Sequence, residues 1–510
     1  AMGTQVTRRE WLRTAATGGA LLGLGDVSFL STLPPVSAAE TQLGATVVQL
    51  EPDIEPLVQL LEKTPREHLL EEVASRIRRG LSYREILAAL LLAGVRNVQP
   101  RPSVGFKFHA VLAVNSVHLA SLSAPEDERW LPIFWALDYF KDSQARNQSE
   151  SGWRMKPVDE RAVPRVSKAR EAFSRAMDAW DEEAADVAVA ALSRTVSANE
   201  IFELFYRYGA RDFRSIGHKA IFVSNTQRIL PLIGWQYAEP VLRSLAYALL
   251  MHEGDNPAKQ DAPSDRPWRE NQARAARVPA AWLGGTPSGD MTVEMLSVLR
   301  QGSSGAACDK LVELLKGGVA PQSIWDALFC GAAELLLRQP GIVALHAVTT
   351  TNALHFAYQT SSDDASRRLL MLQNAAFLPM FREAMEGRGK LADLAIDRLQ
   401  LQATANSSPK AVEEIFAELH GSPMAAVGKA LAHLQATGSA QGLMDTARRL
   451  ILLKGDEPHD YKLSVAVLED YFAVSPQWRN SYLAASLLRF PSPADQDNKL
   501  VQRIRRALKG

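Results

Sequence analysis

The chain has 510 residues, with 57 basic and 57 acidic side chains, so it is long enough for two or three domains or one extended repeat array and carries no net charge. Neutrality removes the electrostatic case for nucleic acid or an anionic membrane surface as a partner. Apolar residues make up 46% and charged residues 22%, enough for a large core, and no stretch after the N-terminal segment is apolar enough to span a bilayer. The two cysteines, Cys308 and Cys330, form no CxxC pair, and no CxxCH stretch is present. Dithiol chemistry and c-type haem are therefore not expected, while a disulfide between the two is left open.

The first element reads as an address. "TRREWLRTAATGGALLGLG" sets Arg8 and Arg9 before a weakly apolar Gly/Ala-rich segment, and "VSAAE" offers a small-residue cleavage site after Ala38. The segment resembles a twin-arginine export signal, with Trp11 where Phe is usual. That resemblance implies folding in the cytoplasm, often around a cofactor, followed by residence in the periplasm or otherwise outside. Residues 1–39 are accordingly set aside from the fold.

The remainder predicts an all-α protein. "EHLLEEVASRIRRG" has helical apolar spacing, similar segments recur to the C-terminus, and period-two strand patterns are scarce. Four stretches share a frame: "LSYREILAALLLAGV" at 81–95, "VSANEIFELFYRYGA" at 196–210, "VAPQSIWDALFCGAA" at 319–333 and "GSAQGLMDTARRLIL" at 438–452. Ser82 and Ser197, each followed three residues later by Glu, predict capped helix starts. A histidine follows each stretch. The intervals from Ile86 to His109, Ile201 to His218, Ile324 to His346 and Leu443 to His459 are 23, 17, 22 and 16 positions. This long–short alternation points to two homologous halves, 40–290 and 291–510, each of two helical units, packed as an α-solenoid or a compact pseudo-twofold globule.

Two long polar stretches, 141–164 and 252–279, are expected to be loops and candidate lids over a substrate pocket. The aromatic run "RWLPIFWALDYF" at 129–140 predicts core packing, with an apolar substrate wall as the alternative.

Chemistry centres on the histidines. "HAVLAVNSVH" (109–118) and "HAVTTTNALH" (346–355) repeat one pattern, which makes His109, His118, His218, His346, His355 and His459 the candidate metal ligands. Asn115 and Asn352 stand three residues before the second histidines and share their face; Asn225 lies nearby in the second unit. Asn115, Asn352, Lys107 and Arg211 are the candidate catalytic side chains, the two cations as anion anchors along with Arg154. Asp212 and Asp460 are acids close to His218 and His459. Residues nine apart on a helix differ by about 900°, half a turn, so His109 and His118 meet one ion only if His109 precedes the helix. Two arrangements stay open: four histidines from four units around one ion, or three in each half. No GxSxG, Walker or GxGxxG pattern in context offers another chemistry.

"LSYREILAALLLAGV" with its following histidine resembles the helical unit of carboxymuconolactone decarboxylase-like and alkylhydroperoxidase-like proteins. The peroxidase branch's cysteine pair is absent, so that activity is not implied. The whole chain also resembles an uncharacterised family of exported bacterial helical proteins, which implies no activity. The expectation is an exported metalloprotein, an oxidoreductase with histidine-bound iron or copper and a small-molecule substrate. A non-catalytic helical-repeat scaffold with structural histidines and a zinc-dependent hydrolase are the alternatives.

Overall fold

A computed structural model describes residues 46–402 and 409–509. The twin-arginine segment and its cleavage site lie outside the described residues. The described residues from Val48 onward make one compact unit. Among the described residues there is no strand, only an isolated bridge between Thr286 and Val319, and the fold is all-α as expected. No helix among these residues is long and apolar enough to cross a membrane.

The four quoted stretches each become one helix: Tyr83–Asn97, Ala198–Gly209, Pro321–Arg338 and Gln441–Lys454. Tyr83–Asn97 is buried at every position from Ile86 onward and Pro321–Arg338 almost throughout, so both are interior helices. Ala198–Gly209 and Gln441–Lys454 bury one stripe each and lie further out. Ser82 caps the first as its sequence predicts: its Oγ accepts from Glu85 N at 3.3 Å, and the Ser82 amide donates back to the Glu85 carboxylate at 2.9 Å. Ser82→Ala should lower stability by about 1 kcal/mol, read as a shift in the denaturant midpoint at unchanged slope.

The segments after these helices build the centre. Val114–Leu122 packs on both His218–Ile233 and Pro458–Ala473, and Ile342–Thr360 packs on the same two. Four helices thus close a ring. Val114–Leu122 continues the short helix His109–Leu112, so each ring segment has a histidine at or near its N-terminal end. Gly217 lets the His218 helix enter: its φ is +81°, and a Cβ there would sit 1.9 Å from Thr350 Oγ1 on the neighbouring helix.

The polar stretches depart from expectation. The helix Leu131–Glu150 runs well into 141–164, because Phe140, Lys141, Ser143 and Asn147 stay buried at helical spacing after the aromatic run. The extended chain beyond Glu150 straps the first helices: Met155 N donates to Arg96 O at 2.9 Å and Arg154 pairs with Glu62 at 3.2 Å. The stretch 252–279 contains the helix Arg266–Ala276, whose Asn271 donates to Gln373 in the core at 2.8 Å. The aromatic run is core: Leu131, Phe134, Trp135 and Phe140 are all buried. Cys308 and Cys330 are free, buried thiols.

Candidate metal centre

His109, His218, His346 and His459 converge where the ring helices begin. One ring nitrogen from each lies within 4.8 Å of the others, and the group contains no carboxylate or thiol. Adjacent imidazole centroids are 5.0 Å (109–218), 4.3 Å (218–346), 5.0 Å (346–459) and 4.6 Å (459–109) apart, so the rings succeed one another in the order of the helices.

Three of the rings are fixed the same way. Nδ1 of His109 lies 2.8 Å from Phe106 O, that of His218 2.6 Å from Ser215 O, and that of His346 2.6 Å from Ile342 O. A carbonyl only accepts, so each Nδ1 carries the proton. Burial first, then the nearby Lys462 ammonium, holds all three pKa values well below 6.5, so the rings are neutral. A neutral imidazole with its proton on Nδ1 presents a bare lone pair at Nε2. Yet His218 Nε2 lies 3.0 Å from Nε2 of both His109 and His346. Lone pairs facing each other at that distance repel unless a cation lies among them. The fourth ring differs. His459 has no hydrogen-bond partner at either nitrogen; Glu457 Oε2 lies 3.7 Å from its Nδ1 and acts through charge.

The loops that supply two of these carbonyls are strained. Phe106 has φ 50°, Ser215 55° and Ile216 44°. None is glycine, and left-handed backbone costs such residues about 1–2 kcal/mol each. The strain sits immediately before His109 and His218, where it turns Phe106 O and Ser215 O toward the rings. Gly105 completes the approach, with a hypothetical Cβ only 3.3 Å from the His218 ring.

A small cleft of about 20 Å³ lies beyond the histidines along the ring segments; none of the four rings lines it, and Lys462 stands next to both. Its lining comes only from the four ring segments and includes Asn115, Asn225, Asn352, Thr349 and Lys462. These residues lie C-terminal to the histidines on every segment, so the four run in the same direction, N-terminal ends at the cage. Lys462 Nζ, fully buried, is 3.3 Å from His109 Nε2 and has no carboxylate within salt-bridge reach among the described residues. Burial lowers its pKa to about 7. Asn225 Nδ2 donates to Leu112 O at 2.8 Å, while Asn115 Oδ1 is buried without a partner. Neither long polar stretch lines the cleft, so neither is its lid.

The remaining candidates are placed elsewhere. His118 and His355 are corrected from ligands to packing residues: neither belongs to the four-nitrogen group. His118 Nδ1 meets Tyr83 OH at 3.0 Å. His355 sits 4.7 Å from the Trp325 ring and 4.8 Å from Phe329, and burial takes its pKa to about 3. Lys107 is buried in an ion pair with Glu150, and Arg211 stacks on Trp180 at 3.7 Å and donates to Met177 O, its Nε and Nη2 left without partners; neither side chain lines the cleft. Asp212 pairs with Lys219 at 3.0 Å and Asp460 caps its own helix through the amides of Asp456 and Glu457, so neither joins the group. Asn115 and Asn352 are in the cleft, although Asn352 is engaged with Asp470 at 2.7 Å and Glu469 at 2.8 Å. His118→Ala and His355→Ala should each cost about 1–3 kcal/mol and leave metal content per chain unchanged, read by elemental analysis beside a melting curve. Loss of metal in either variant would restore that residue to the ligand set.

Fold and site together define an all-helical protein with a buried four-histidine group that could hold a metal ion. No protein-family model, curated protein or solved structure matches the chain.

Proposed function

We propose that this protein is an exported metalloprotein, an oxidoreductase in which His109, His218, His346 and His459 hold one iron or copper ion that acts on a small organic substrate. The observation that carries the reading is the convergence of Nε2 lone pairs at 3.0 Å on rings whose other nitrogens are already committed to carbonyls. A structural histidine would spend its second nitrogen on a protein donor or on water; His109 has one in Lys462 Nζ at 3.3 Å, whereas the Nε2 atoms of His218 and His346 meet only other ring nitrogens. Four imidazoles suit copper, iron or zinc. Export rests on the Arg8-Arg9 segment. A chain that folds before transport loads its metal in the cytoplasm, which allows iron to be selected even though copper wins on raw affinity at nitrogen sites.

The two-halves reading belongs to the same proposal. Each quoted stretch forms the helix that precedes a histidine-bearing ring segment, and inheritance from one duplicated unit accounts for four equivalent placements. The test is elemental analysis and an absorption spectrum of protein purified without added metal. One iron or copper per chain supports the reading. One zinc per chain turns it toward the hydrolase. No metal, with folding intact after all four histidines become Ala, leaves a scaffold.

A further inference from the structure

The four rings are held unequally. His109, His218 and His346 are buried, and each is tied through Nδ1 to a carbonyl three or four residues before it, that of Phe106, Ser215 or Ile342. His459 has no such tie, and 13% of its side chain is exposed. The cause is local. The carbonyls at the equivalent positions, Asp456 and Gly455, are turned to other donors: Trp135 Nε1 donates to Asp456 O at 3.3 Å, and Asn498 Nδ2 to Gly455 O at 2.6 Å. The loop before His459 thus serves the aromatic run and the C-terminal segment instead of its own histidine.

The difference bears on how an ion is held. A ring already fixed in its binding orientation gives up no rotamer freedom when the ion arrives. Three rings meet that condition, and the fourth waits for the ion to order it. In the metal-free chain His459 rests edge-on against His109 at 4.6 Å and His346 at 5.0 Å, with no hydrogen bond to break when it turns. Neither of its nitrogens reaches the surface, so a nitrogen is freed only by turning the ring. The residue stands second in the helix Pro458–Ala473, and the half-exposed Glu457 carboxylate 3.7 Å from Nδ1 marks the side on which the ring meets solvent. The three tied rings remain as a fixed set, the number of protein ligands that a metal with an exchangeable position keeps.

We infer that His459 is the exchangeable ligand of the group: its ring turns away from the three fixed ones, the ion enters and leaves through the face it covers, and a small neutral donor takes its place there. This rests on the metal reading of the four histidines. In the exchange one dative bond from a His459 nitrogen breaks and one from the incoming donor forms; no electron is transferred, and the ion keeps its oxidation state.

The test uses the full chain loaded with cobalt(II), read by its visible absorption, with metal content measured on every sample. His459→Ala should keep one cobalt per chain, its affinity lowered by about 10–100-fold, the scale of losing an outer-shell partner, and mostly through faster release to a chelator. His346→Ala should lose the metal. Added imidazole should restore the wild-type spectrum in His459→Ala, where the gap opens to solvent, and not in His346→Ala, where it is enclosed. A measurement on wild type decides the matter if a variant does not fold. In the metal-free chain diethyl pyrocarbonate should acylate His459 ahead of the three tied rings, and bound cobalt should protect it, both read by peptide mass mapping. A folded His459→Ala chain that loses cobalt as completely as His346→Ala overturns the inference while a metal-loaded wild type spares the metal reading. So does imidazole that rescues both variants or neither, or a His459 ring no more reactive than His346. A wild-type chain that takes up no metal sinks both.

Discussion

His218→Ala is expected to abolish metal binding, with an affinity loss well beyond the 10–100-fold typical of removing an outer-shell partner. His218 is the central donor: its Nε2 lies 3.0 Å from two others, and its ring stands between His109 and His346. Removing it opens the cage on that side and leaves donors that no longer surround a point. The variant also removes the repulsion between lone pairs, so the metal-free protein should be no less stable than metal-free wild type by more than the cavity cost of a buried ring, about 2–3 kcal/mol. The difference appears when metal is added. A ligand that binds only the folded state stabilises it by about 4 kcal/mol at a free concentration 1,000 times its dissociation constant. Wild type should therefore melt at a markedly higher temperature with metal than after chelation, and His218→Ala should show no such shift. Glu457→Gln is the graded control, since it removes the charge beside His459 and Arg489 while keeping an acceptor of the same size at the helix cap. It should keep the melting shift but need 10–100-fold more metal to reach it. An equal metal-induced shift in wild type and His218→Ala would place the ion elsewhere.

The legible part of this site was its periodicity. Matching frames picked out the four residues that converge, because each frame ends in a helix start and the ring joins helix starts. The same frames also picked out His118 and His355, wrongly. Their inclusion needed His109 to lie ahead of its helix, but the helix begins at His109 itself, and His346 is already inside a helix that begins at Ile342. Nine residues of helix then carry the second histidine to the far side. The choice between one ring of four and two clusters of three was not legible, since it depends on contacts between segments more than 100 positions apart, such as His109 with His218. The strained carbonyls were hidden too. Phe106, Ser215 and Ile216 take positive φ without the Gly or Asn that would announce it. Lys462 could have been found: it lies three residues after His459, hence on the same helical side, but the fourth stretch is the faintest of the repeats. Lys107 and Arg211 misled because a lone basic residue in sequence gives no sign of its partner; Glu150 and Trp180 had already claimed them.

The second large effect is a steep acid limb in the stability of the metal-free protein. His109, His218 and His346 are held neutral by burial, with folded-state pKa values well below 6.5. In the unfolded chain they titrate near 6.5. Below that pH the unfolded state binds three protons that the native state refuses, so stability falls as pH falls, by about 1.4 kcal/mol per unit for each histidine and roughly 4 kcal/mol per unit for the three together. The limb begins near pH 6.5 and continues until the folded-state values are reached. At that slope, two pH units consume most of the stability of an ordinary domain. Lys462 acts at the other end with the same sign. Its folded pKa of about 7 lies below the usual 10.5, so the unfolded state holds the extra proton between those values and stability rises with pH across that window. Urea midpoints of chelated protein from pH 5 to 9, in wild type and in His218→Ala, measure both limbs. The variant should lose one histidine's share of the acid slope, about 1.4 kcal/mol per pH unit, and keep the alkaline limb, whereas Lys462→Met should keep the acid limb and lose the alkaline one. Bound metal should raise the acid curve as a whole and move its collapse to lower pH, because protons must now displace the ion as well as charge the rings. An acid slope that is unchanged in His218→Ala would mean that the rings are protonated or solvated in the native state, and the lone-pair argument for the metal would go with it.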